Sequence, residues 1–166
     1  RGAAGVAFEA LPAQVDERGI RDGLLAANAG VPRSRIAEAL ARAKAEKVSA
    51  DNPDALVIGS DQIAECDGEP VGKPGTHQAA VAQLQRLSGR TVTFHTGVAL
   101  VNAATGRVQN DLVDVASTFR TLSAAEIEAY LARERPYDCA GSVRSEALGI
   151  ALFERIASDD PTALIG

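Results

Sequence analysis

Residues 92–100 read VTFHTGVAL and are followed by the turn Ala104-Thr105-Gly106 and a second run, Val108–Arg120. In the first run large apolar residues alternate with polar or small ones, which is typical of a strand with one covered face. Two such runs joined by a short turn that contains glycine predict a long β-hairpin. The fold is therefore expected to contain a sheet with this hairpin as part of it.

The sequence on either side of the hairpin predicts further strands and three helices. Ala55–Gly59 (ALVIG) is an apolar run between turn residues, as expected of a strand buried on both faces, and Gly149–Ile156 is another predicted strand. The expected helices are Ser34–Val48, a segment capped by Thr76 that stops at Gly89, and one opened by the capping box Ser123–Glu126. Gly19–Pro32 is expected to be a surface loop. Together these elements predict an α/β fold, a mixed β-sheet flanked by helices with an active-site cleft.

Composition narrows the class of protein. The chain has 166 residues, within the usual size of one domain, so 1–166 is expected to form a single domain. Its net charge of −5 disfavours a nucleic-acid partner, and no apolar run is long enough for a membrane span. Two cysteines, Cys66 and Cys139, suit a reducing compartment, so a cytoplasmic location is expected.

The ends of the sequence carry a separate expectation. There is no methionine, so Arg1 is not expected to be the natural start, and Ala163–Gly166 is apolar like an interrupted strand.

Three residues stand out for their chemistry. Asp61 follows the predicted strand Ala55–Gly59 in a stretch rich in acids, where a carboxylate suits a hard divalent cation or an exposed loop equally well. Lys44 falls on the apolar face of its helix, so it either extends to the surface or meets an anion in a cleft. Lys73 lies on a stiff Gly-Lys-Pro turn that suits the presentation of a positive charge to phosphate.

The segment Asp138–Glu146 combines small residues with charges between a helix and a strand. Small residues allow backbone N–H groups to approach a ligand, and Glu146 is a candidate acceptor for a nucleobase, although an ordinary connection has the same composition. His77 and His95 have no metal-ligand spacing with the cysteines, so we expect them to be structural or surface residues.

Taken in order, these features resemble one family, the Maf-like nucleotide pyrophosphatases. The motifs are Val15-Asp16-Glu17, the Lys44 helix, Ile58-Gly59-Ser60-Asp61-Gln62, Gly72-Lys73-Pro74, Leu87-Ser88-Gly89 and Phe94-His95-Thr96-Gly97. Residues 139–146 and 148–154 resemble the 7-methyl-GTP pyrophosphatase branch of that family. The family's Ser-x-Ser-Pro-x-Arg phosphate-binding motif and its Gly-Leu-Pro continuation are not within the sequence.

The resemblance implies hydrolysis of a nucleoside triphosphate between its α and β phosphates, with a divalent cation (Mg²⁺, Mn²⁺ or Co²⁺) and a homodimeric protein. It implies Asp61 as the catalytic carboxylate, Glu17 and Asp61 on the metal side, and Lys44 and Lys73 on the phosphates. Gln62 and Glu146 occupy the positions linked to the choice of base, with Gln62 expected to donate to the guanine carbonyl and Glu146 to accept from guanine. The alternatives are a dTTP or UTP pyrophosphatase of the same family and a nucleotide-binding regulator of cell division with little turnover.

Overall fold

The computed structural model describes residues 5–160 and 162–165. Its regular elements, in chain order, are α1 (Glu17–Ala27), α2 (Arg33–Ala50), β1 (Leu56–Cys66), β2 (Glu69–Val71), α3 (His77–Leu87), β3 (Thr91–Asn102), β4 (Arg107–Phe119), α4 (Ala124–Glu134) and β5 (Phe153–Ala157), with 3₁₀ turns at Ala140–Ser142 and Leu148–Leu152.

Five strands form one sheet in the order β2-β1-β3-β4-β5, with helices packed against it. The α/β class and the predicted hairpin, now β3 and β4, are confirmed. The sheet differs from a mixed one, because all four strand pairings of the described residues are antiparallel. Tight turns impose this direction at β1–β2 and β3–β4, and β3 returns beside β1 after α3.

Strand β1 is longer and more exposed than the sequence predicts. It continues through Asp61 to Cys66, because residues 56–65 pair with β3 along their whole length. Asp61 therefore lies within the strand and not at its end. Leu56 and Ile58 are 68% and 72% exposed, so the expected burial on both faces is wrong: only one face is covered at this end.

Helix α2 lies unusually close to the other face of β1 and β3. A Cβ atom on Gly59 would lie 2.3 Å from the carbonyl oxygen of Ala41, and one on Gly97 would lie 2.7 Å from the carbonyl oxygen of Ala37. Only glycine permits such an approach of two backbones. This packing fixes the height of α2 over the strands, and therefore the reach of its side chains.

The opposite face of the sheet carries the larger core, built with α3 and α4. Phe94, Val115 and Phe119 from the strands pack with Leu84 and Leu131 from the helices. Both predicted helix starts are confirmed in this layer: the side chain of Thr76 accepts the N–H of Ala79, and Ser123 and Glu126 form the capping box.

Three other expectations are wrong. The segment 19–32 is mostly helix α1, because Asp16 caps it through the N–H of Gly19 and apolar residues recur along it. Residues 148–152 form a 3₁₀ turn that presses Gly149 against the backbone of Arg144, so only β5 of the predicted strand 149–156 is extended. The described residues 162–165 form a turn.

Candidate active site

A lysine joins two carboxylates beside β1. The Nζ atom of Lys44 lies 2.6 Å from Oδ1 of Asp61 and 2.9 Å from Oε1 of Glu17. Lys44 comes from α2, Asp61 from β1 and Glu17 from the first turn of α1, so three elements meet at one ammonium group. The prediction that Lys44 faces inward is confirmed, and its anion is provided by the protein itself.

Burial and charge act against each other in this cluster. Burial raises the pKa of the Asp61 carboxyl above its ordinary value, although Lys44 acts in the opposite direction. Burial would lower the pKa of Lys44, but its hydrogen bonds and charge interactions with Asp61 and Glu17 together raise it. The lysine is therefore held as a cation, and removing either acid would leave it less well compensated.

The cluster opens into a cleft of about 460 Å³. The predicted residues Glu17, Lys44, Asp61, Gln62 and Lys73 all line this cleft. The structure thus brings together every residue that was predicted to bind the phosphates or the metal ion.

Two arginines that the sequence reasoning missed also line the cleft, Arg21 of α1 and Arg33 of α2. Arg21 lies one helical turn beyond Glu17 and so faces the same side of α1. That i, i+4 spacing would have identified it, had the segment been predicted as a helix.

Glu146 lies in a second pocket of about 180 Å³, which Gln62 and Ala140 share with the cleft. Its other walls come from Phe94 of β3 and from the segments around Val143 and Leu164. The pair Gln62 and Glu146 is therefore brought to one pocket, adjacent to the charged cleft and distinct from it.

The hydrogen bonds of Gln62 differ from the expected role of a donor to a ligand. Its Nε2 atom donates to Oγ1 of Thr96 at 2.9 Å and to the carbonyl oxygen of Ala163 at 3.2 Å. Both amide hydrogens have partners, so Oε1 is the group that remains for a ligand.

A buried tyrosine anchors the segment that leads to Glu146. The hydroxyl of Tyr130 donates to the carbonyl oxygen of Ser142 at 3.1 Å and accepts the N–H of Arg144 at 3.2 Å. Burial raises the pKa of Tyr130 to about 12. Gly141, with φ +69°, turns the chain back beneath Phe94.

The two histidines lie outside both pockets. His77 is half exposed and contacts Tyr137 and Glu128. His95 is buried in the sheet, with Nδ1 2.7 Å from Oδ1 of Asp114.

Glu17 and Asp61 are the two carboxylates available to a cation in the cleft. Within residues 5–160 and 162–165, no cluster of three or more His, Cys, Asp or Glu side chains is arranged to hold a metal ion. In the same part of the chain, every helix is too short or too polar to cross a bilayer.

Together the fold and the site define an α/β protein with a charged cleft and a smaller pocket beside it. Comparison with known proteins gives the family. A family model described as "Maf-like protein" matches residues 2–166. The chain belongs to the Maf-like family.

Several curated relatives carry the name 7-methyl-GTP pyrophosphatase. The protein of Albidiferax ferrireducens is 52% identical over 161 residues, which cover 97% of this chain and 77% of the relative. That of Polaromonas sp. is 57% identical over 131 residues, or 79% of this chain and 60% of the relative. That of Cupriavidus metallidurans is 48% identical over 161 residues, again 97% and 77%.

Proposed function

We propose that this protein is a nucleoside triphosphate pyrophosphatase that hydrolyses 7-methyl-GTP to the monophosphate and pyrophosphate. One observation carries the proposal: the cleft with the Lys44–Asp61–Glu17 cluster shares Gln62 with the pocket that contains Glu146. A nucleotide has the matching shape, with a polyanionic chain attached to a flat polar base. Relatives named 7-methyl-GTP pyrophosphatase support the same reaction.

Glu17 and Asp61 would hold the divalent cation. Mg²⁺ is usually bound through one or two carboxylates together with substrate phosphates, and two carboxylates converge here on one ammonium group. The ammonium of Lys44 shows that this position accommodates a positive charge. When bound, the metal would supply charge stabilisation to the phosphate oxygens.

Asp61 is the proposed base for the attacking water. The water oxygen bonds to the α phosphorus and gives a proton to the Asp61 carboxylate, while the bond between that phosphorus and the bridging oxygen breaks. The pyrophosphate leaves with the electron pair of that bond. Burial favours the protonated form of Asp61, as its raised pKa indicates, and so assists this proton transfer.

Lys44 and Lys73 are proposed to offset the charge on the departing pyrophosphate. Lys73 is exposed on the turn after β2 and faces the cleft, so it meets a phosphate without breaking an internal contact. Lys44 is different, because it must exchange a carboxylate partner for a phosphate oxygen.

The smaller pocket offers hydrogen-bond acceptors to the base. Glu146 contributes a carboxylate, and Gln62 contributes Oε1 because both of its amide hydrogens are used. Guanine presents two donors on one edge, N1–H and the exocyclic amine, and methylation at N7 adds a positive charge that favours a carboxylate. A pyrimidine such as uracil has a single ring donor, which leaves one acceptor poorly paired.

The remaining assignments rest on the family resemblance. We propose that the protein acts in the cytoplasm, as a homodimer, and that residues 1–166 belong to one domain. Light scattering coupled to size exclusion would test the dimer, and cell fractionation would test the location.

The experiment measures pyrophosphate release by the purified full-length protein from 7-methyl-GTP, GTP, UTP, dTTP and CTP, with Mg²⁺ or Mn²⁺. We expect preference for 7-methyl-GTP, reduced about 10–100-fold in Glu146→Gln, because a charged hydrogen bond is lost. Glu154→Gln, on exposed β5, is the matched control and should leave the preference unchanged. Preference for UTP or dTTP would overturn the substrate, and nucleotide binding without turnover would favour a regulatory protein.

A further inference from the structure

The two arginines that line the cleft have no acidic partner among the described residues. Within residues 5–160 and 162–165, neither Arg21 nor Arg33 forms an ion pair, whereas their neighbours on the same helices do: Arg18 pairs with Asp22 at 3.6 Å and Arg35 with Glu38 at 2.6 Å. The chain has 22 acidic and 17 basic residues, so acidic partners are in excess. Unpaired cations that face one cleft in an acidic protein indicate an anionic ligand.

The helices place both arginines on the cleft side. Arg21 follows Glu17 by four residues, and its positive charge partly offsets the effect of burial, which raises the pKa of Asp61. Arg33 precedes Lys44 by eleven residues, close to three full turns, and so lies on the same side of α2 about 16 Å along its axis. The two side chains thus approach the cleft from two different helices.

The charge of the Lys44–Asp61–Glu17 cluster explains why further cations are needed to bind a phosphate chain. Lys44 carries one positive charge between two carboxylates, so the cluster itself is not a strong phosphate site. A nucleoside triphosphate brings several negative charges, and guanidinium groups bind phosphate oxygens in a bidentate manner. Lys73 also faces the cleft, so four cations line it, including Lys44.

We propose that Arg21 and Arg33 bind the two terminal phosphates of the substrate, between α1 and α2. This inference rests on the proposed function, which places the base beside Glu146 on the far side of Gln62. The phosphates farthest from the base then extend towards the arginines. Arg21 and Arg33 determine the preference for a triphosphate over a monophosphate, and they hold the pyrophosphate until it is released.

Helix α1 gives this proposal a second consequence. None of its residues is buried, so α1 is attached to the rest of the protein through partly exposed contacts and the Glu17–Lys44 ion pair. Such elements open locally at small cost. A polyphosphate bound to both arginines bridges α1 to α2 and slows hydrogen exchange in α1.

The test uses inorganic tripolyphosphate as the probe, with binding measured by calorimetry on Arg21→Gln, Arg33→Gln and the double variant of the full-length protein. We expect each single variant to weaken binding about tenfold and the double variant about 100-fold, with less dependence on salt than the wild type. The controls are Arg18→Gln and Arg35→Gln on the same helices, expected to stay within about twofold because exposed ion pairs contribute little. Thermal unfolding checks that each variant is folded.

Two further readouts separate this inference from a general loss of structure. With 7-methyl-GTP, Arg21→Gln is expected to raise KM with little change in kcat. Tripolyphosphate is expected to protect α1 from hydrogen exchange in the wild type and in Arg18→Gln, but not in Arg21→Gln. Binding within about twofold of wild type in the double variant, or an equal loss in the controls, would overturn the inference.

The test distinguishes a failure of this inference from a failure of the proposed function. If the protein releases pyrophosphate and the arginine variants bind tripolyphosphate normally, the inference fails and the function stands. If binding depends on the arginines but no nucleotide is hydrolysed, the polyphosphate site stands and the proposed hydrolysis fails.

Discussion

The charged cleft and the smaller pocket that contains Glu146, the proposed base pocket, adjoin at Gln62 but are built in different ways. The cleft is set by regular elements: α2 lies against β1 and β3 at Gly59 and Gly97, and this contact places Lys44 over Asp61. The base pocket is lined mainly by connecting segments, namely residues 139 and 140, the segment around Glu146 and residues 164 and 165, with Gln62 and Phe94 from the strands. In the proposed function, the reaction needs fixed distances and takes place where a helix and strands pack closely. The base is selected by a pocket that is formed mainly by connecting segments. Substitutions should therefore be able to impair catalysis in the cleft and base preference in the smaller pocket separately.

The largest effect is expected in the cleft, from Asp61→Asn. An amide cannot take the proton of the attacking water, so kcat should fall about 10²–10⁴-fold. Binding of 7-methyl-GMP, the proposed product, to the pocket around Glu146 should change little. Steady-state kinetics and calorimetry measure the two quantities, with Asp54→Asn in the exposed turn before β1 as the control. Near-normal turnover with unchanged metal dependence would show that Asp61 is not the base.

A methyl group at the contact between α2 and the sheet tests whether packing sets the cleft. In Gly59→Ala the new Cβ would lie 2.3 Å from the carbonyl oxygen of Ala41, so α2 must move. We expect a loss of about 1–3 kcal/mol in the free energy of unfolding, together with reduced kcat, because Lys44 moves away from Asp61.

Gly23→Ala is the matched control for that substitution. Gly23 lies in α1 with no atom near its Cβ position, so alanine should raise the stability by about 0.5–1 kcal/mol. Urea unfolding measures both variants. Equal stability of Gly59→Ala and wild type would mean that the close approach is not what positions α2.

The substitution Lys44→Met tests whether the ammonium group of Lys44 occupies the proposed position of the metal ion. Without the ammonium, Glu17 and Asp61 face each other unpaired, so Mn²⁺ should bind at least about tenfold more tightly in the absence of nucleotide, about 1.4 kcal/mol. Electron paramagnetic resonance of free Mn²⁺ measures this affinity. Lys47→Met, one turn further along α2 and exposed, should bind Mn²⁺ as the wild type does. Weaker Mn²⁺ binding in Lys44→Met would place the metal elsewhere.

The same contrast explains what the sequence could predict. Local signals were sufficient for the β3–β4 hairpin and for the starts of α3 and α4, because turns and caps are formed by neighbouring residues. Helical periodicity was sufficient to predict that Lys44 faces inward. The local sequence does not predict that Lys44 contacts Asp61 and Glu17, because this contact depends on how closely α2 packs on Gly59 and Gly97.

The errors have two causes, a helix whose glycines resemble a loop and contacts between residues far apart in the sequence. Helix α1 carries two glycines and no buried residue, so its sequence resembles a loop, and Arg21 was missed with it. The length of β1 depends on its pairing with β3, which the apolar run 55–59 does not reveal. The hydrogen bonds of Gln62 involve Ala163, 101 residues away, and occupy its amide hydrogens within the protein.

The smallest effect is expected in the base pocket, from Tyr130→Phe. The hydroxyl holds Ser142 and Arg144 in place, so its removal should cost about 1 kcal/mol in the free energy of unfolding at pH 8 and weaken the preference for 7-methyl-GTP, with kcat almost unchanged.

The loss of stability in Tyr130→Phe should diminish as the pH rises. Below a pH of about 10 the phenol is protonated in both states, whereas between about 10 and 12 the unfolded state ionises first, because burial raises the folded-state pKa of Tyr130 to about 12. Wild type therefore loses stability across this range through Tyr130, and the phenylalanine variant does not. Urea unfolding of both proteins from pH 8 to 11 measures the difference, with Tyr137→Phe, whose hydroxyl contacts His77 near the surface, as the control. A stability difference between wild type and Tyr130→Phe that stays constant over this range, or a kcat that falls with the base preference, would mean that the two halves of the site are not separable in this way.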